Sequence, residues 1–144
     1  MTITRFSGEY RWLSNFHYAE VFFEGRKYPS TEHAYQAAKT LDPEQRLMIK
    51  NCKTCGQAKR LGQDVTLRQD WESVKLDVMR AVVWYKFANH DDLKKLLLAT
   101  GDEHLVEGNT WQDYFWGVCG GRGQNHLGRI LMDVRKQLLE NTST

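Results

Sequence analysis

Apolar residues along this chain recur mostly at helical spacing, and most runs open on a residue able to cap a helix. After Pro29, Ser30 or Thr31 can start a helix through about Lys39, with Ala34, Ala37, Ala38 and Leu41 on one stripe. Asp42, Pro43 and Gln45 then read as a cap, a first-turn proline and the closing member of a capping box. Thr54-Cys55-Gly56-Gln57 repeats the cap pattern for a short helix that Gly62 ends. A longer helix follows Asp70 and buries one face through Trp71, Val74, Val78, Ala81, Val82 and Tyr85. Asp91 caps the next, which carries Leu93, Leu96 and Leu97 and stops at Thr100-Gly101. The last begins near Asn125 or His126 and shows Leu127, Ile130, Leu131, Val134 and Leu138.

Strand character concentrates in the first 28 residues. Val21-Phe22-Phe23, the turn formers Glu24-Gly25 and Arg26-Lys27-Tyr28 together predict a short hairpin. Tyr10 through Phe16 mixes aromatics with turn formers and reads as a loop beside the core, and residues 103–119 read as irregular or short-stranded. The expected architecture is α+β: one compact domain over residues 1–144, about five helices around a small hairpin or sheet.

Composition narrows the class. In 144 residues, 41% are hydrophobic and 26% charged, values that exclude a disordered or fibrous chain. A net charge of +2 supplies no general drive toward nucleic acid or membranes, although a local patch fits inside a balanced sum. Three cysteines do not form a disulfide framework, and no run approaches the ~20 apolar residues of a membrane span. The expectation is a soluble cytoplasmic protein with no membrane partner.

Three constellations bear on chemistry. At 100° per residue Glu32, Gln36 and Lys39 fall within about 60° of one another, opposite the alanine stripe. They form either a solvated polar face or, under an aromatic roof, a partly dry cleft. In such a cleft a carboxylate orients hydroxyls or moves protons, and a desolvated lysine becomes a nucleophile. Next, the aromatic run Trp111 to Trp116 leads into Gly120-Gly121-Arg122-Gly123 and the start of the last helix. Read functionally, its glycines and that helix N-terminus offer a phosphate seat with Arg122 adding charge; otherwise it is a turn-rich connection. No Gly-Lys-Ser/Thr follows, so it is no Walker loop. Finally, Cys52 and Cys55 form one Cys-x-x-Cys without a second close pair, and His17, His33, His90 and His104 lack metal spacing. Buried or incidental thiols are expected, with no metal.

Phe6-Ser7-Gly8, Trp12-Leu13-Ser14-Asn15-Phe16 and Tyr28-Pro29-Ser30-Thr31-Glu32-His33-Ala34-Tyr35-Gln36-Ala37-Ala38-Lys39 resemble the NADAR (YbiA-like) family. So do Arg68-Gln69-Asp70-Trp71, Lys86-Phe87, Leu105-Val106-Glu107, Asp113 to Gly117 and Gly123 to Met132, in order from about residue 5 to residue 138. The resemblance implies a compact YbiA-like α+β fold and an N-glycosidase of ribosyl groups on an exocyclic amine. Two substrate branches follow from it: ribosylamino-pyrimidine phosphates of riboflavin synthesis, and ADP-ribose on the guanine amino group of DNA or RNA. Tyr28 stands where the riboflavin-type motif has tryptophan, which leans toward the ADP-ribose branch and a functional pairing with an ADP-ribosyltransferase toxin. No cofactor is implied.

The resemblance implies roles for Lys39 as nucleophile, through a Schiff base, and Glu32 as its partner, with Asp113 a second carboxylate candidate. By residue type, Trp12, Trp111 and Trp116 would sandwich a base, Asn15 and Asn125 would read polar edges, and Gly121, Arg122 and Gly123 would seat phosphate. Tyr35 and Gln36 complete the expected binding set, while Trp71 reads as core. A binding module for ADP-ribose or NAD without turnover is the non-enzymatic alternative. The catalytic reading requires Lys39 and Glu32 to share a sheltered pocket walled by indole and phenol rings.

Overall fold

The computed structural model describes residues 1–142. It has α+β architecture with, among the described residues, six α-helices, one 3-10 helix and two two-stranded sheets. The chain divides into two compact units, Asn15–Lys86 and Met1–Ser14 together with Phe87–Thr144.

The first unit opens with the predicted hairpin, β2 (Tyr18–Phe23) against β3 (Arg26–Ser30), antiparallel with Val21 opposite Tyr28 and Phe23 opposite Arg26. Glu24 and Gly25 turn it at φ 46° and 88°, the two left-handed positions that a tight two-residue hairpin turn requires. Ser30 ends β3 and caps α1 (Thr31–Ala37), its side chain accepting from the His33 backbone N–H. Every residue of α1 is buried, polar and alanine faces alike.

Helix α1 is shorter than its apolar stripe predicts. Lys39 and Thr40 bond back to Gln36 and Ala37 in a tighter turn, and Leu41 lies 64% exposed. The carbonyls that end the helix find partners elsewhere: Lys39 O accepts from Arg68 N at 2.8 Å, and Thr40 O from Arg46 Nε at 2.7 Å. In α2 (Pro43–Lys50), Asp42 caps Glu44 N as predicted, but the capping box does not close. Gln45 Oε1 accepts instead from Thr66 N at 2.8 Å and Thr40 Oγ1 at 3.1 Å.

Thr54 caps α3 (Cys55–Gly62) through Gln57 N, and Gln57 Oε1 returns to Lys53 N. In α4 (Trp71–Asn89) the buried arc includes Met79, Val83 and Lys86 beside Trp71, Val78 and Val82, while Ala81 is exposed. Two adjacent side-chain rows face inward there, a wider arc than the predicted single stripe.

In the second unit, residues 8–13 form a 3-10 helix (Gly8–Leu13) where a loop was expected. Gly8 enters it at φ 58° and Leu13 is fully buried, so one apolar anchor winds a short aromatic segment. Strand β1 (Thr2–Ile3) pairs in parallel with β4 (His104–Leu105), and Val106 N extends the ladder to Ile3 O at 2.8 Å. In α5 (Asp91–Ala99), His90 takes the N-cap position and Asp91 sits one residue inside, where its charge meets the helix dipole. Leu93 and Leu97 are buried and Leu96 is exposed. Helix α6 (His126–Thr142) buries the predicted stripe Leu127, Ile130, Leu131, Val134 and Leu138, and Arg135 bonds Thr100 Oγ1 at 2.9 Å. Among the described residues no helix is long and apolar enough to cross a membrane.

Candidate functional site

The Asn15–Lys86 unit gathers Asn15, Glu32, Tyr35, Gln36 and Lys39. Glu32 and Gln36 are 7% and 3% exposed, which excludes the solvated-face reading of that stripe. Gln36 Nε2 donates to Glu32 Oε2 at 2.6 Å, a short charge-assisted bond across one helical turn. Lys39 lies just past α1, half-buried, with its Nζ 5.8 Å from the centre of the Tyr35 ring. Tyr35 in turn packs on Trp71, ring centres 5.3 Å apart. The phenol beside the amine is thus Tyr35, itself backed by Trp71, which the sequence reading placed in the core.

Burial lowers the Lys39 pKa, and the charges of Lys59 and Lys75 lower it further, while Glu32 pulls it back up. An ammonium held beside one carboxylate and two other ammonium groups loses its proton more readily than an exposed lysine. Asn15 is 8% exposed; its Nδ2 reaches Met79 Sδ at 3.4 Å and its carbonyl accepts from Glu32 N at 3.1 Å. That backbone bond satisfies an orphan amide in the first turn of α1 and fixes where Glu32 enters.

The remaining candidates lie in the other unit. Trp12 is half-buried with its ring edge-on to Phe87, 6.2 Å between centres. Trp111 is 59% exposed, and Trp116 is half-buried against Phe115 at 4.7 Å. Asp113 Oδ1 accepts from Phe115 N and Trp116 N at 3.2 and 2.9 Å, so one carboxylate oxygen shapes the turn that presents Trp116.

Two groups of this segment are engaged within the fold. Asn125, expected to read substrate, is 7% exposed and its amide bonds backbone through both its oxygen and its nitrogen. Its Oδ1 accepts from Glu107 N and its Nδ2 donates to Leu105 O, both at 3.0 Å. At the start of α6, His126 N and Leu127 N donate to the carbonyls of Phe115 and Trp116 at 3.1 and 3.0 Å. Gly121, Arg122 and Gly123, the expected phosphate seat, form an exposed turn closed by Cys119 and Arg122 exchanging backbone bonds at 2.8 and 3.1 Å.

The sequence matches the description "NADAR domain" over residues 4–139. The chain belongs to the NADAR family. Among similar proteins is N-glycosidase YbiA of Escherichia coli (strain K12), 42% identical over 92% of this chain and 84% of that protein. N-glycosidase Npun_R5314 of Nostoc punctiforme is 40% identical over 90% of this chain and 86% of that one. Riboflavin biosynthesis protein VVA0006 of Vibrio vulnificus is 40% identical over 90% of this chain but only 36% of its own length. The solution NMR structure of E. coli YbiA superposes with a TM-score of 0.87 at 39% identity, covering 99% of this NADAR chain and 86% of that one.

Sequence reasoning missed a buried polar cluster at the start of α1 in this NADAR chain. His33 Nε2 donates to Cys52 O at 3.0 Å, which leaves Nδ1 to accept from Ser30 Oγ at 2.6 Å. Cys55 Sγ lies 3.3 Å from the same hydroxyl, and burial holds the His33 pKa below its usual value. The capping signal at Ser30 was legible, but the partners brought in from Cys52 and Cys55 depend on tertiary packing. Neither cysteine is in a disulfide; Cys55 is buried and the Cys52 thiol is pushed up in pKa by burial. Tyr28, which precedes the Pro29 to Lys39 motif, is 1% exposed and packs in the core.

Proposed function

We propose that this NADAR protein is an N-glycosidase that cleaves a ribosyl bond to an exocyclic amine, with Lys39 as nucleophile and Glu32 as its acid–base and orienting partner. The observation that carries the reading is the half-buried Lys39 amine, lowered in pKa by burial and electrostatically coupled to the buried Glu32 carboxylate. The curated relatives named N-glycosidase support the reaction class.

An exocyclic N-riboside keeps an N–H, so its sugar ring opens to an imine at C1. The neutral Lys39 amine adds to C1, a proton passes to the base nitrogen, and the base leaves as the free amine. Water then adds to the lysine imine, releasing the ribosyl aldehyde and restoring Lys39. One water is consumed overall, and no oxidant, reductant or metal enters the balance. Glu32 carries protons between these steps or holds ribose hydroxyls in this reading.

The leading substrate is ADP-ribosylated guanosine in DNA or RNA, the product of an ADP-ribosyltransferase toxin. Its support is the run from Pro29 to Lys39, which resembles the branch of the family that removes ADP-ribose, with Tyr28 where the riboflavin-type motif has tryptophan. The positive charges of Lys59 and Lys75 near Lys39 suit a phosphate-bearing ligand. Relatives named for riboflavin biosynthesis support a second reading, hydrolysis of ribosylamino-pyrimidine phosphates. Incubation of the purified chain with each substrate, scored for ADP-ribose against ribose 5-phosphate, separates the two. Borohydride added during turnover should fix the sugar covalently to Lys39, and Lys39→Ala should abolish both turnover and trapping. Turnover without a trapped adduct refutes the imine route; tight ADP-ribose binding with no product from either substrate leaves a binding module.

A further inference from the structure

Gln36 was expected to touch substrate and Gly62 only to end a helix, yet their geometry assigns both a different task. Gly62 is the last residue of α3, outside the left-handed region, so its backbone would accept alanine. Its surroundings would not. A Cβ built there meets Gln36 Oε1 at 2.0 Å, Cδ at 2.8 Å and Cβ at 3.1 Å. The contact reaches Gln36 Cβ, close to the backbone of α1, so swinging the terminal amide aside does not relieve it.

The Gln36 amide is thereby held in one pose. Oε1 is buried without a hydrogen-bond donor, facing the bare Cα of Gly62, and Nε2 is 2.6 Å from Glu32 Oε2. The opposite flip would set a carbonyl oxygen against a carboxylate oxygen, which is repulsive. An exposed Gln–Glu pair one turn apart contributes little, but at 3% and 7% exposure the same bond acts in a low dielectric.

We propose that Gln36 and Gly62 are positioning residues for Glu32: the missing side chain at 62 seats the Gln36 amide, and that amide orients the carboxylate toward its partner Lys39. The inference rests on Glu32 acting in the reaction. It predicts that Gln36 acts through Glu32 and makes no contact with substrate.

The test is a double-mutant cycle on Gly62→Ala and Gln36→Ala, with Gln36→Leu as a donor-free variant of similar bulk. Gly62→Ala should lower kcat on the order of 10- to 100-fold, as displaced catalytic groups do, with KM within about twofold of wild type. In the Gln36→Ala background, where Oε1 and Cδ are gone and only the 3.1 Å contact with Cβ remains, Gly62→Ala should cost much less in kcat and melting temperature than it does in wild type. With Gln36→Leu the acidic limb of the pH–rate profile should move to higher pH, because a carboxylate that loses a donor protonates more readily. A rise in KM alone with Gln36→Leu, or an equal loss from Gly62→Ala in both backgrounds, overturns the proposal. Should neither substrate be turned over, the reaction assignment fails separately. The pairing is then still read by the melting-temperature cycle, and the positioning by a carbon-13 titration of the Glu32 carboxyl, which should shift upward in Gln36→Leu. A titration curve unchanged from wild type would overturn it.

Discussion

Lys86, the last residue of the Asn15–Lys86 unit, has 1% of its surface exposed, and burial lowers its pKa from 10.5 to about 7, opposed only in part by Cys55. In the unfolded chain the same amine titrates near its ordinary value. Between pH 7 and 10.5 the unfolded state therefore binds a proton that the folded state does not, and stability rises with pH across that window. A depression of about 3.5 pH units, at about 1.36 kcal/mol each, amounts to about 5 kcal/mol, fully opposing the fold below pH 7 and absent above 10.5. Lys86→Met keeps the apolar stem and removes the amine. Its stability relative to wild type should fall by about 4 kcal/mol from pH 7 to pH 10, as wild type sheds the penalty the variant never had. Urea titrations of both proteins at each half pH unit measure this difference, and other titrating groups cancel in the subtraction. Parallel curves, differing by under about 1 kcal/mol across the range, would show that Lys86 keeps its proton on folding and refute the burial argument.

Two further outcomes follow from the described geometry. Asn125→Ala leaves Glu107 N and Leu105 O without their partners and places alanine at φ 54°, so it should destabilise the fold by about 2–4 kcal/mol. A denaturation midpoint unchanged from wild type would instead return Asn125 to the set of substrate readers. Removing the Glu32 charge by Glu32→Gln takes away the influence that raises the Lys39 pKa, so the midpoint for Lys39 reductive methylation should move to lower pH. A midpoint that stays or rises shows that the carboxylate and the amine are not coupled.

Elements whose signal is local were legible in the sequence. The Glu24-Gly25 turn needs two left-handed residues and the chain supplies a glycine at the second. The α6 stripe and the Ser30, Asp42 and Thr54 caps were readable for the same reason. What escaped depends on neighbours distant in sequence. Periodicity gives α1 one buried stripe, but packing buries its polar side as well, turning Glu32 and Gln36 from a surface pair into an interior one. Gly62 was placed correctly for the wrong reason, since the crowding comes from Gln36, 26 positions earlier. Asn125 and Lys86 carry residue types usual at binding sites, and only coordinates reveal that the first is locked into backbone and the second fully enclosed.

The segment between β4 and α6 has almost no regular structure, yet Gly108, Gly117 and Gly123 each bring a backbone oxygen to about 2.1 Å from where a side chain would begin. Cross-links from Asn109 to Asp113 and from Asn125 to Leu105 and Glu107 close the winding. Chain so tightly wound has surrendered its conformational freedom during folding. An aromatic displayed from it, such as the 59% exposed Trp111, meets a visitor as a finished surface. Docking there would freeze few main-chain torsions, and contact energy would pass into affinity with little entropic deduction.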